Sequence, residues 1–195
     1  MKKKTLSKIA LLVAMNLALS ITAMTQTNYR TQIVDIKLNG TSNLHDWEMK
    51  AVSGTGVASF VVANGKVTSL SKLNFSLPVK NLKSGKSGMD KNTYKALNTD
   101  ANPNISFVLT SATVVSTGGN NYRLNCQGKM SIAGRTNQTE LVATGLYNPA
   151  DKSFTVTGIK KMKMTDYNVK PPTALLGTIR TGNDITISYN LKFKT

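Results

Sequence analysis

Apolar and polar residues alternate along much of this chain, and a period of two predicts strands with one hidden face. Val34, Ile36 and Leu38 share one side of such a run, with Asp35 and Lys37 on the other. Leu73, Phe75 and Leu77 alternate with Lys72, Asn74 and Ser76. Tyr122, Leu124, Cys126, Met130 and Ile132 stand against Arg123, Asn125, Gln127, Lys129 and Ser131. The last run sets Ile185, Ile187, Tyr189, Leu191 and Phe193 against Thr186, Ser188, Asn190 and Lys192. Further strands are predicted over 54–63, 104–116, 139–148 and 153–164. Turn signals separate them at Asn64-Gly65, Gly118-Gly119-Asn120-Asn121, Ala133-Gly134, Asn148-Pro149 and Gly182-Asn183.

One interval departs from this pattern. Between Ser87 and Leu97 the apolar and small residues Met89, Thr93 and Leu97 recur at helical spacing, which predicts one short helix ending near Asn98. Pro103 begins the next strand. Many strands that are apolar on one face must bury that face, and closing the sheet into a barrel does so while removing its edges. The expected fold is therefore all-β: one antiparallel barrel of roughly eight strands with a short helix. Phe75, Phe107 and Tyr189 share the inward set with Gly128, Gly145 and Gly158, a mixture that leaves room inside. A glycine in a strand also marks bulges, so the core is either hollow or filled.

The N-terminus adds a compartment. Lys2, Lys3, Lys4 and Lys8 precede an apolar, acid-free stretch from Ile9 to Ala23, the layout of a secretory signal peptide. A spanning helix needs about 20 predominantly apolar residues, and Asn16, Ser20 and Thr22 interrupt this shorter run. Residues 1–23 are expected to be removed, with the mature chain beginning between Met24 and Thr27. Residues 24–195 then form one domain in the periplasm or outside the cell. Without the four leader lysines the formal charge of +16 falls to about +12. Most of the remaining lysines stand singly, which suits a solvated basic surface and not a nucleic-acid stripe. Such a field is compatible with transient contact with an anionic membrane surface.

Composition removes several chemistries. One cysteine, Cys126, and one histidine, His45, cannot build a Cys/His zinc or iron–sulfur site or a pair of imidazole ligands. No metal, cofactor or disulfide is expected. His45 and Asp46 are adjacent, so on a strand they point to opposite faces and cannot act as base and orienter. Gly85-Lys86-Ser87 imitates the end of a phosphate loop, but Lys80 occupies the position that the motif's first glycine needs. No catalytic residue is assigned.

Several segments resemble the YceI-like family of exported bacterial proteins over about residues 30–194. They are Gly40-Thr41-Ser42-Asn43-Leu44-His45-Asp46-Trp47, Met89-Asp90-Lys91-Asn92-Thr93-Tyr94-Lys95-Ala96-Leu97 and Asn102-Pro103-Asn104-Ile105-Ser106-Phe107. Two more follow: Gly128-Lys129-Met130-Ser131-Ile132-Ala133-Gly134, and Met164 through Thr173 with its Pro171-Pro172 pair. The resemblance implies a lipocalin-like barrel enclosing a long polyisoprenoid or related lipid. In that case the ligand-binding set is Ile36, Leu38, His45, Trp47, Leu73, Phe75, Leu77, Phe107, Leu109, Tyr122, Leu124, Met130, Ile132, Ile185, Ile187 and Tyr189. Tyr167, Pro171 and Pro172 would close one barrel end. A hollow barrel predicts a continuous cavity lined by Ile36, Phe75, Phe107, Leu124 and Ile187. A filled one makes the protein an envelope interaction module that works through its basic surface. A barrel isomerase or cyclase is a third reading, for which no second catalytic partner exists.

Overall fold

A computed structural model describes residues 25–195. The expected signal peptide, residues 1–23, lies outside the described residues. The strands are β1 (Thr25–Ser42), β2 (Trp47–Ala51), β3 (Thr55–Ala63), β4 (Lys66–Pro78), β5 (Asn104–Gly118), β6 (Asn121–Ile132), β7 (Arg135–Asn148), β8 (Ser153–Lys163), β9 (Thr173–Ala174) and β10 (Ile179–Lys194). One helix, α1 (Ser87–Ala96), interrupts them between β4 and β5. The sheet runs β2-β1-β3-β4-β5-β6-β7-β8-β10-β9, and β1 also pairs with β10. That last pairing closes eight antiparallel strands into a barrel and leaves β2 and β9 as additions.

The alternation of the sequence is the alternation of the walls. Along β6, Tyr122, Leu124, Cys126, Met130 and Ile132 are buried, while Arg123 and Lys129 face solvent. Two hairpins turn on left-handed pairs, Asn64 (φ 52°) with Gly65 (φ 73°) and Ala133 (φ 50°) with Gly134 (φ 81°). This geometry matches the twist of two-residue hairpins. Gly182-Asn183 is not a turn. β10 continues through it, and the pairing slips between Gly40↔Ile185 and Ser42↔Thr181, so these residues form a bulge. Asn183 Nδ2 donates to Thr165 Oγ1 at 2.9 Å, and its Oδ1 accepts from the Thr165 amide at 3.1 Å. An asparagine–glycine signal is thus satisfied by a tertiary partner.

The inward glycines do not leave room. A Cβ on Gly128 would overlap the Phe107 ring, one on Gly145 the Phe154 ring and one on Gly158 the Tyr189 ring. Each ring from a neighbouring strand lies over a glycine and fills the space its missing side chain leaves. The middle of the barrel is accordingly packed. Ile36, Phe107 and Leu124 belong to the buried core, with Phe75 and Ile187 against it.

The two ends differ. The end carrying the 63–66, 118–121 and 148–153 turns is plugged by aromatic rings. Phe60 and Phe154 have centroids 4.4 Å apart, Tyr29 meets Phe60 edge-on at 5.2 Å, and Tyr122 lies 5.8 Å from Phe154. Here the β4–β5 ladder, which pairs Asn74–Pro78 with Asn104–Val108, has lapsed. The buried Tyr122 hydroxyl receives the Val67 amide at 3.1 Å instead. Burial, with the Tyr147 phenol beside it, pushes Tyr29 up to about 12. At the opposite end a different ladder lapses. β7 and β8 pair only from Asn148↔Ser153 to Ala143↔Gly158, and beyond that side chains bridge them. Lys160 Nζ donates to the Glu140 carbonyl at 3.1 Å, and Asn137 Nδ2 to the Asp166 carbonyl at 2.6 Å.

Candidate functional site

The opened end holds a cavity of about 1040 Å³, at the top of the range of about 300–1,000 Å³ usual for small-molecule sites. Its floor is the top of the barrel: Leu38 of β1, Met49 of β2, Ile132 of β6, Met162 of β8 and Ile185 of β10. Its side wall is α1, which presents Met89, Thr93 and Ala96, followed by Leu97, at helical spacing. Most of the residues that hold α1 in place are local in sequence. Asp90 accepts from the Ser84 amide at 2.8 Å and the Ser84 hydroxyl at 2.7 Å, and these bonds keep its carboxyl below the usual range against the opposing effect of burial. The Tyr94 hydroxyl donates to the Lys80 and Leu82 carbonyls, at 3.1 and 2.9 Å. Lys83 stands 5.3 Å from the centre of the Tyr94 ring. Thr93 donates to Met49 Sδ at 3.4 Å, joining helix to floor.

The roof is the segment from Met164 to Gly177, which includes β9. A 3-10 turn, Met164–Tyr167, ends on Asn168 in the left-handed region (φ 58°), and Val169 and Pro172 then turn toward the chamber. Tyr167 is buried and its hydroxyl lies 3.0 Å from Thr139 Oγ1 across the lapsed β7–β8 seam. Tyr167 and Pro172 border the chamber at this barrel end.

Five of the residues expected to bind ligand line this chamber: Leu38, His45, Trp47, Ile132 and Ile185. Trp47 is half-buried, its indole NH donating to the Thr41 carbonyl at 2.9 Å and its ring covering Gly40, where a side chain would collide with it. His45 and Asp46 sit in the turn between β1 and β2, not on a strand as supposed. The His45 Nδ1 is 2.7 Å from the Asp46 backbone carbonyl, so the pair is joined through the main chain and not the carboxylate. The rest lie elsewhere. Ile36, Leu77, Phe107, Leu124 and Met130 are buried in the core, and Leu73, Phe75, Leu109 and Ile187 pack against it. Tyr122 and Tyr189 border a shallower depression of about 740 Å³ among the outer-face residues Lys37, Arg123 and Ser188. Burial pushes the Tyr189 phenol up to about 12 and the Cys126 thiol up to about 11, so both are neutral.

The expected axial cavity lined by Ile36, Phe75, Phe107, Leu124 and Ile187 is therefore corrected in position. None of the five borders the chamber. Aromatic rings lie over the inward glycines of the barrel, and the chamber lies at one end. Met49, Met89, Met162 and Met164, half of the chain's eight methionines, line it and were not assigned. Unbranched and polarisable, methionine adapts to irregular apolar guests. The helical face of Met89, Thr93 and Leu97 was the signal for part of this wall. Polar groups at the chamber include His45, Lys86, Lys91, Asn92 and Lys163, a sparse set beside the apolar wall.

The model of the YceI-like domain family matches residues 42–193. Among solved structures, BcnA of Burkholderia cenocepacia superposes with a TM-score of 0.62 at 17% identity, over 82% of this chain and 95% of its own. A polyisoprenoid-binding domain from Saccharophagus degradans, implicated in plant cell wall breakdown, gives 0.65 at 7% identity, over 86% and 98%. The YceI protein of Campylobacter jejuni gives 0.56 at 12% identity, over 73% and 81%. Likeness at these identities shows a common barrel. No curated protein matches the chain.

Proposed function

Because the chain belongs to the YceI-like family and carries a large apolar chamber at one barrel end, we propose that it binds a long-chain polyisoprenoid or related lipid there. The chamber is the observation that carries this reading. Its lining is mostly apolar, with methionine, leucine, isoleucine and tryptophan among it, so each buried CH₂ of a guest contributes about 0.8 kcal/mol. The Lys86, Lys91 and Lys163 ammonium groups and the His45 ring suit a polar or anionic head group at the rim. The same fold in a domain described as polyisoprenoid-binding supports the class of guest.

In this reading the protein sequesters or carries its ligand and catalyses nothing. The only histidine faces a backbone carbonyl, and no cofactor is required. After loss of residues 1–23 the mature protein works in the periplasm or outside the cell. The test is native mass spectrometry, with organic extraction, on protein purified from its source. A co-purifying isoprenoid or long-chain lipid is expected, and adding a long-chain isoprenoid to stripped protein should raise the melting temperature by mass action. The packed barrel axis and the charge of about +12 favour a second reading, an envelope module acting through its basic surface. Protein with no extractable lipid and an unchanged melting temperature would establish that one instead.

A further inference from the structure

The chamber's rim carries exposed leucines that the fold holds outward. Leu175 and Leu176 lie at φ 48° and 56°, followed by Gly177 at 90°. Three successive left-handed residues are unusual, and leucine rarely enters this region because its Cβ crowds the backbone. The result is a tip with Leu175 72% and Leu176 110% exposed, both bordering the chamber. A third leucine joins them. Leu44, 64% exposed, sits in the β1–β2 turn. That turn is locked to the base of the tip: Asn43 Nδ2 donates to the Thr178 carbonyl at 2.9 Å, and Asn43 Oδ1 accepts from the Arg180 amide at 2.7 Å. These bonds tie the two leucine-bearing loops together, and large exposed apolar groups gathered at a site mark a contact surface.

The charge around this edge indicates the partner. Lys86 and Lys91 border the chamber, Lys170 lies exposed on the roof, and Arg180 Nε donates to the Gly177 carbonyl beside the leucines. None of these four is in an ion pair among the described residues. Of the nearby acids, Asp184 pairs with Lys163, Asp90 and Asp166 accept from the neutral Ser84 hydroxyl and Lys163 amide, and Asp46 lies in the β1–β2 turn. Apolar side chains projecting from a surface with free cations suit an interface of acyl chains beneath anionic phosphates. They do not suit a second copy, which would bring like charges together.

We propose that this rim docks on an anionic lipid bilayer. Leu44, Leu175 and Leu176 enter the acyl boundary, and Lys86, Lys91, Lys170 and Arg180 face the phosphates. The chamber then opens toward the membrane. The ligand reading above gives this docking its use, but the docking itself stands on the rim alone. The experiment is vesicle flotation of the purified protein and of the double variant Leu175→Asn/Leu176→Asn. Asparagine enters the left-handed region readily, so the variant keeps the fold, which its melting temperature verifies. Wild type should float with vesicles of phosphatidylcholine plus phosphatidylglycerol, less so as salt rises, and not with phosphatidylcholine alone. The variant should bind at least about tenfold more weakly. Wild type that stays with the soluble fraction, or a variant that floats equally well, overturns the proposal. So does light scattering that shows a wild-type dimer lost in the variant, because a second copy then covers the leucines. Extractable lipid, measured on the wild type only, reports on the ligand reading alone, so the two can fail separately.

Discussion

The two ends of the barrel solve the same problem in opposite ways. At each end one backbone ladder lapses: β4–β5 at one, β7–β8 at the other. At the first, Tyr122 drops its hydroxyl onto the freed Val67 amide and a stack of Phe60, Phe154 and Tyr29 fills the space. At the second, Lys160, Asn137 and Tyr167 make polar contacts from β7 to β8 and to the roof, while helix and roof enclose a chamber over the floor. An opening in a sheet is therefore not itself a site. What distinguishes the ends is whether packed rings or a helix and roof around a chamber meet the opening. The closed end contributes stability, and the open end gives some of it up for volume.

The largest expected effect follows directly. Phe154→Ala, at a residue with no solvent exposure, should cost about 3–5 kcal/mol. Met162→Ala, in the chamber floor, should cost less than about 1 kcal/mol, because its neighbours already border a void and lose few contacts. Urea titrations that reversed this order would erase the contrast between the ends. Between the ends, Gly158→Val should cost about 1–3 kcal/mol through displacement of the Tyr189 ring. Adding Tyr189→Leu to that variant should restore part of the loss, which a strain unrelated to the ring could not show.

A smaller effect is expected at the bridged seam. Thr139→Val leaves the Tyr167 hydroxyl without its buried partner and should cost about 1 kcal/mol. Hydrogen exchange should then rise in the roof and not among the aromatics. The smallest effect belongs to Asp151 at the closed end. Hydrogen bonds from Ser153 and the Lys192 ammonium lower its carboxyl from 3.8 to about 2. The folded state thus favours the ionised form, and this contribution is whole above about pH 4 and lost as pH falls through 2. Asp151→Asn should flatten the fall in stability across that window. An acid limb identical to wild type would remove the Ser153–Asp151–Lys192 contact from the account of this end.

Much of the barrel is legible in the sequence because its signals are local. The faces of β6 and β10 follow from alternation alone, the helix from Met89, Thr93 and Leu97, and the Asn64-Gly65 turn from two residues. The misreadings share one physical origin, a partner distant in sequence. Gly158 reads as empty space until Tyr189 is known to lie across it. Gly182-Asn183 reads as a turn until Thr165 is found holding the asparagine inside a strand. β2 is too short to announce itself, and its Met49 faces a helix some 40 residues on. The chamber is legible only in pieces. Its floor draws on five strands, its wall is α1, and its roof is an irregular segment without periodicity. No local pattern states that these converge, so the residues assigned from alternation were drawn from the packed middle as well as from the mouth.

The most direct test is where a guest sits. A long-chain isoprenoid carrying a photoactivatable diazirine, crosslinked to the protein and mapped by peptide mass spectrometry, would report it. Label should fall on the peptides of α1 and of the roof, at Met89, Leu97, Met164 and Val169. Label concentrated on Phe75, Phe107 and Leu124 instead would mean that the barrel axis opens to admit the chain, contradicting a packed middle with its chamber at one end.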